Sequence, residues 1–489
     1  MESIYIVLSG MLGIAVELLK LSREKNVPFI EIGISRMLYG LQKLSSDSPE
    51  VRDMLSVLSD IIDNCEERFG AQSVGNSLYG LQSMSSEYVE MRTLLASLAV
   101  KVADCHTTLR AQHVGNALYG LQSMSSEHIE VRMLLDILAV KVSNCQETLN
   151  AQAACNALYG LQNMNSEHIE VRTLLVALAV KVADCEERLG AQTVGNALYG
   201  LQNMNSKYPE VRSLLSVLTD KVKDCQKKLG AQHVGNALYG LQNMNSEHIE
   251  VRKLLGALAI KVKDCQETLC VQVVSNALYG FQSMNSEHAD VKTLMNALKD
   301  KLTQFFDKGT SEHSNFDVLE LLRSFMLFRH HIVTILGSEA LCIEYHRKLD
   351  AELVSRRQRG GPFSAVTAFQ STFEKDVYNR VVALSPELQI SNLRHNLHLL
   401  DCFESDITFT VLVDQEAAVV VNVEVDGVYH ENKRKKRFCQ LRDKELMSRG
   451  IHVVRITTRK APEIDAILRT TGAHVRTTAA GSGPMMAKR

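Results

Sequence analysis

From the second copy of a repeating segment onward, the chain presents the same uncharged polar set, written in that copy as Gln72, Asn76, Tyr79 and Ser83. Steps of i, i+4, i+7 and i+11 put these side chains on one face of a helix. Amides and hydroxyls can donate to and accept from base edges, and tyrosine rings can stack. Helical-repeat RNA binders use two or three such side chains per unit to read one base. The asparagine recurs as Asn116, Asn156, Asn196, Asn236 and Asn276. One neighbouring column varies as Gly33, Ser73, His113, Ala153, Thr193, His233 and Val273, and another as Lys43, Ser83, Ser123, Asn163, Asn203, Asn243 and Ser283. A constant scaffold with changing polar positions suits a modular reader. The candidate contacts are therefore Ser73, His113, Thr193 and His233 together with the asparagine column. The structural alternative is that the amides bond to neighbouring turns and knit the repeats together.

Cations form a second candidate set. Arg52, Arg92, Arg132, Arg172, Arg212 and Arg252 occupy one column, and Lys101, Lys141, Lys181, Lys221 and Lys261 another. Regularly spaced cations can track phosphates. Glutamates two residues before the arginines from Arg92 onward make a locally balanced, solvated face an equal explanation. The densest basic run, Lys433, Arg434, Lys435, Lys436 and Arg437, is a further candidate for RNA phosphate. His128, His168 and His248 fall at helix N-caps and read as structural.

The elements that position these residues follow from the period. Asn156 to Arg172 returns letter for letter at Asn236 to Arg252, and Leu-Tyr-Gly recurs at a step of 40 residues from Leu38 to Leu278. Such a period signals a solenoid whose units bury their apolar faces against one another. The first helix of a unit is expected over Ala71 to Met84, with Ala71, Val74, Leu78 and Leu81 as its buried stripe and Gly80 in mid-helix. Pro49 and Pro209 mark the first position of the second helix, with Ser48 as an N-cap. Val131, Leu134, Leu135, Leu138, Val142 and Cys145 form its core face. Cysteines at 40-residue intervals lack metal-site or disulfide spacing and read as buried, reduced positions.

The expected fold is an all-α superhelical solenoid of about seven 40-residue two-helix units followed by a small α/β domain. The boundaries are a capping helix at 1–30, the array at 31–300, a helical cap at 301–354, a basic linker at 355–370, an α/β domain at 371–469 and a disordered tail at 470–489. The formal net charge of -2 gives no global pull towards nucleic acid or membrane. The apolar run Ile4 to Leu19 falls short of a bilayer span, so neither a membrane nor a small-molecule substrate is expected. The N-terminus has an early Glu2 and few basic residues, unlike a transit peptide.

Within the C-terminal domain, a helix from Ser371 to Leu384, strands at Ile407 to Val413 and Ala418 to Asp426, a basic helix from Lys433 to Arg449 and a strand from Ile451 to Ile456 are expected. Val423-Glu-Val-Asp-Gly-Val-Tyr-His430 resembles the core of the RAP domain, with Glu424, Asp426, Gly427 and His430 at its motif positions. Arg449-Gly-Ile-His-Val-Val-Arg-Ile456 and Ser371-Thr-Phe-Glu-Lys-Asp-Val377 are similar to its flanking parts. The array resembles octotricopeptide and heptatricopeptide repeats. These resemblances imply single-stranded RNA and other RNA-processing proteins as partners. They also imply a role in organellar RNA processing, stability, ribosomal RNA maturation or translation, in a mitochondrion or plastid. RAP domains in turn resemble a very-short-patch-repair endonuclease fold. An RNA endonuclease would use Glu424, Asp426 and Glu374 around Mg2+, the one circumstance in which a cofactor is expected. The lysine such a site carries two residues after the glutamate is Asp426 here, which weighs against cleavage. A protein–protein scaffold is the third alternative.

Overall fold

The computed structural model describes residues 2–25, 28–308, 315–358, 372–399, 403–414, 417–426, 433–457 and 463–471. They form two units, one comprising Met1–Lys308 with His330–Gly337 and the other Gly309–Arg329 with Ser338–Arg489.

The first unit is the repeat array. It opens with α1 (Glu2–Glu24) and alternates short A helices with longer B helices. The A helices are α2 (Glu31–Gly40), α4 (Ala71–Tyr79), α6 (Ala111–Tyr119), α8 (Ala151–Tyr159), α10 (Ala191–Tyr199), α12 (Ala231–Tyr239) and α14 (Val271–Gly280). The B helices are α3 (Pro49–Asp63), α5 (Val89–Ala103), α7 (Ile129–Ser143), α9 (Ile169–Ala183), α11 (Pro209–Asp224), α13 (Ile249–Asp264) and α15 (Ala289–Lys308). A packs on A and B on B through the stack, with α1 next to α3 at its start. As expected, Pro49 and Pro209 open their helices and Ser48, His128, His168 and His248 are N-caps. The cysteine column is buried and reduced.

Gly80 is not in mid-helix. It caps α4, which ends at Tyr79, at φ -61°. Its reason is space: a Cβ there would lie 2.0 Å from the Leu38 carbonyl oxygen of the preceding unit. The same approach recurs at Gly120, Gly160, Gly200, Gly240 and Gly280. Adjacent units are also latched by a buried serine. Ser86, Ser126, Ser166, Ser206 and Ser246 each accept from the backbone N–H 39 residues on, at 2.8–2.9 Å. Helix α17 (Arg329–Leu336) belongs with the array, where the His331 ring lies against Phe281.

In the second unit, α16 (Asn315–Leu327) packs on α18 (Glu339–Gln358). The expected cap at 301–354 is thus shared between the two units, and α18 continues through Gln358 into the expected linker. The segments 309–314, 359–371 and 472–489 lie outside the described residues, and with them most of the expected linker and tail. The sheet has the order β1-β2-β3-β4, made of β1 (Ile390–Leu399), β2 (Phe403–Asp414), β3 (Ala417–Asp426) and β4 (His452–Thr457). The first three strands are antiparallel, whereas β3 and β4 are parallel and joined through α20 (Lys433–Ser448). Valines of β3 alternate with polar residues, as a strand with one core face requires. Val421, Val423 and Val425 pack with Ile407, Phe409 and Val411 of β2 and with Val377 and Val381 of α19 (Thr372–Leu388). Ile464 and Leu468, on a helix at 463–471, complete that core.

Candidate nucleic-acid interface

The A helices turn one edge to solvent. Gln72, Gln112, Gln152, Gln192, Gln232 and Gln272 are exposed there, and the asparagines four residues on are half-buried except for Asn276, which is buried. In two units the pair closes on itself, Gln152 donating to Asn156 Oδ1 at 2.8 Å and Gln272 to Asn276 Oδ1 at 2.9 Å. Asn196 meets the Cys155 thiol. The side-chain amides of Gln72, Asn76, Gln112, Asn116, Gln232 and Asn236 make no hydrogen bond to protein among the described residues. Beside them the tyrosines stack on one another. From Tyr39 through Tyr239 consecutive rings are 5.6–5.9 Å apart at 20–23°, so each ring face is shared with the next unit.

The variable columns sit in the seams between units. His113, Ala153, His233 and Val273 pack on Gly75, Gly115, Gly195 and Gly235, where an added Cβ would meet their Cα atoms at 2.9–3.3 Å. Thr193 lies against Cys155, its carbonyl 3.8 Å from Sγ. Ser73 is buried at 6% exposure. His113 Nδ1 accepts from the Arg110 N–H and His233 Nδ1 from the Gly230 N–H, both at 3.2 Å. Burial first, then the neighbouring Arg110, pushes the His113 ring down from its ordinary value. The second variable column is spent too. Ser123, Asn163, Asn203 and Asn243 donate to the backbone carbonyls of Gln82, Gln122, Gln162 and Gln202 at 2.6–2.7 Å.

Both cation ladders are similarly engaged. Arg132 Nη1 donates to the carbonyls of Ser126 and Glu127 at 2.9 and 2.8 Å, while its Nε lies 3.8 Å from Glu170 of the next unit. The other arginines from Arg52 to Arg212 repeat this arrangement. The lysine column reaches back across the seam. Lys181, Lys221 and Lys261 donate to the carbonyls of Cys145, Cys185 and Cys225 at 2.5 Å, closing the end of the preceding B helix. His128 and His168 pair with Glu87 and Glu127 of the preceding unit. Lys433–Arg437 open α20, but their side chains lie outside the described residues.

In the C-terminal domain a buried polar network surrounds Glu424. Glu424, 6% exposed, receives Asn422 Nδ2 at 2.8 Å on one oxygen and Arg442 Nη2 at 2.8 Å on the other. Asn422 also holds Ser405, whose hydroxyl is 2.7 Å from Thr408. Asp443 joins Arg442 to Arg455. The carboxylate beside Glu424 is Asp406. Strand β2 begins at Phe403 rather than Ile407, so Asp406 lies inside it and accepts from the Val425 N–H at 2.6 Å. Burial, then the charge of Glu424, pushes Asp406 up to about 7. Glu374, on α19, is buried and contributes to the same shift. Asp426 ends β3, and its side chain, Gly427 and His430 lie outside the described residues. Among the described residues no group of three or more His, Cys, Asp or Glu side chains is arranged to hold a metal ion, and no helix is long and apolar enough to cross a membrane. Sequence reasoning did not single out Arg442; its signal was an arginine on a helix following the strand that carries a buried glutamate. Neither known protein families nor curated proteins return a match to this chain.

Proposed function

We propose that the array binds single-stranded RNA along the exposed edge of its A helices. One observation carries this reading: the amides of Gln72, Asn76, Gln112, Asn116, Gln232 and Asn236 stand unpaired with protein while the other polar columns are occupied. Amides of this kind read base edges. Because the Gln and Asn columns are identical in units two to seven, the grip is uniform, and monotonous tracts are preferred over mixed ones. The variable column, lying in the seams, governs stability rather than base preference. On the motif resemblance alone, the reading extends to processing, stabilisation or translation of mitochondrial or plastid transcripts, ribosomal RNA included. The RAP-like domain then acts as a second RNA contact or as a recruiter of other RNA-processing proteins.

Fluorescence anisotropy with short homopolymers and a random pool tests it. Replacing Gln112 and Asn116 by alanine removes two amide contacts and is expected to weaken binding roughly five- to tenfold at about 0.5 kcal/mol or more per contact. Salt dependence contributed by the array should be shallow, since its cation columns are held by carbonyls. No binding at moderate salt would sink the RNA reading. A protein scaffold is the second reading, supported by the exposed apolar side chains Val100, Val140 and Val180 on the B helices, at 60%, 56% and 55%. Cleavage is the weaker alternative, because Arg442 neutralises Glu424; magnesium-dependent cutting abolished by Asp426→Ala would support it.

A further inference from the structure

Each B helix turns four positions outward at steps of four, three and four, written in α5 as Val89, Thr93, Ala96 and Val100. In the middle of the array these positions join into an apolar patch. Val89, Ile129 and Ile169 make one row across α5, α7 and α9, and Val100, Val140 and Val180 make a second; all six are 50–60% exposed. Met133 and Val176 stand between the rows, equally open. Helix α7 packs on α5 and on α9, so the rows are continuous from helix to helix. They lie about 16 Å apart along the helices, and three adjacent helices span roughly 18 Å, which gives a patch of about 300 Å². Contiguous apolar surface of that extent marks an interaction site.

The fold itself does not require these side chains. Asp60, Asp220 and Asp300 occupy the valine position in α3, α11 and α15, exposed on the same kind of helix. The charges around the patch then say what it accepts. Asp136 is exposed inside it, between Met133 and Val140, and makes no ion pair among the described residues. Asp60 and Asp220 continue the valine row at its two ends, and Asp104 and Asp184 are exposed one turn beyond Val100 and Val180. No lysine or arginine stands in the four outward positions from α3 to α11. Lys101, Lys141 and Lys181, one residue past the valines, turn back to carbonyls of the preceding unit. Aspartates set around and within an apolar patch repel phosphate, whether of nucleic acid or of an anionic lipid surface, and favour a cationic partner. Three helices side by side leave grooves between them, and a helix lying in such a groove seats apolar anchors at steps of three and four.

We propose that the outward face of α5, α7 and α9 docks a basic amphipathic helix of a partner protein. Its apolar stripe sits on the two rows, and its Lys or Arg side chains meet Asp136 and the aspartates at the rim. The inference concerns the B helices and stands whether or not the A helices hold RNA.

Selection of a displayed random peptide library on the full chain tests it, with peptides of about 16 residues, long enough for about four helical turns. Enriched sequences should carry apolar residues at steps of three and four with Lys or Arg on the flanks. The strongest of them, made as a labelled peptide, is then titrated by fluorescence anisotropy without RNA. Val100→Asp with Val180→Asp places on the patch the residue that Asp60 and Asp220 already hold in solvent, and should weaken that peptide at least tenfold with an unchanged far-UV spectrum. Mere attraction of base to acid would instead be strengthened by the added aspartates. Asp136→Asn should weaken the peptide roughly three- to fivefold. Should the double variant lose helix content, Val140→Ser reads the same row and should also weaken binding. No enrichment, enriched peptides without basic residues, or affinity unchanged or raised in the valine variants would each overturn the proposal. Self-association of the chain that Val100→Asp with Val180→Asp abolishes, read by sedimentation, would give the face to a second copy and overturn it as well.

Discussion

Gly40 and Gly120 share the local sequence Leu-Tyr-Gly-Leu-Gln and nearly the same backbone, φ -61° in both. An alanine is conformationally acceptable at either. At Gly120, however, its Cβ would sit 1.8 Å from the Leu78 carbonyl oxygen and 2.4 Å from its carbon. Carbon and oxygen rest at about 3.3 Å even in a close C–H···O contact, so the third unit must recede from the second by roughly 1.5 Å. That retreat breaks the Ser123-to-Gln82 bond of 2.7 Å and the Ser125-to-Ser86 bond of 2.9 Å, and loosens the Tyr79–Tyr119 stack at 5.7 Å. Two hydrogen bonds at about 1 kcal/mol each, with the packing lost along the seam, give roughly 3–4 kcal/mol of destabilisation. At Gly40 there is nothing within 4 Å, because among the described residues the A helix packed on α2 is α4, on the other side. Gly40→Ala should therefore be neutral or stabilising, by up to about 1 kcal/mol. The chain has no tryptophan, so urea unfolding is followed by far-UV circular dichroism. Hydrogen exchange then locates the lost protection at the seam between α4 and α6. Equal midpoints for the two variants, or unchanged exchange in Gly120→Ala, would refute the close approach.

Other outcomes follow from the same contacts. Glu147, Glu187 and Glu267 accept from the first N–H of α6, α8 and α12 across the seam, whereas Lys227 stands in that column opposite α10; Lys227→Glu should stabilise the array by about 1 kcal/mol in thermal melts. Ser166→Ala removes the buried acceptor of the Asn205 N–H at 2.9 Å and should cost roughly 1–3 kcal/mol in denaturant titration. Asp406 is held protonated in the fold and is a stronger acid when unfolded. Its contribution is therefore complete below about pH 4 and is lost as pH rises to about 7. With its partial exposure discounted, that amounts to about 2 kcal/mol. Asp406→Asn should flatten this dependence, read as exchange protection of β2 and β3 at pH 5 and pH 8; an undiminished slope would remove Asp406 as its source.

Much of the architecture was legible in the chain itself. The 40-residue period announced the stack, proline marked where the B helices begin, and helical spacing of apolar residues marked the faces that bury. These are local signals, written in neighbouring residues. Strand β1 was not legible, because Ile390–Leu399 mixes Asn, Arg and His among its apolar residues; its pairing with β2 makes it a strand. The expected strand from Ile407 left Asp406 outside it, until pairing with β1 at Leu399↔Phe403 and Leu397↔Ser405 carried β2 back to Phe403.

The polar columns divided most sharply between sequence and structure. The sequence shows that Asn116, His113, Ser123, Arg132 and Lys141 recur, but not which of them are occupied. Four of the five are engaged by partners within the structure, and among the described residues the Asn116 side-chain amide alone of the five makes no hydrogen bond to protein. Most of those partners are backbone carbonyls or glycine surfaces 36 to 41 residues away in a neighbouring unit. A carbonyl is present at every residue and leaves no mark in a sequence, so only the stacking of one unit on the next decides which side chains it claims.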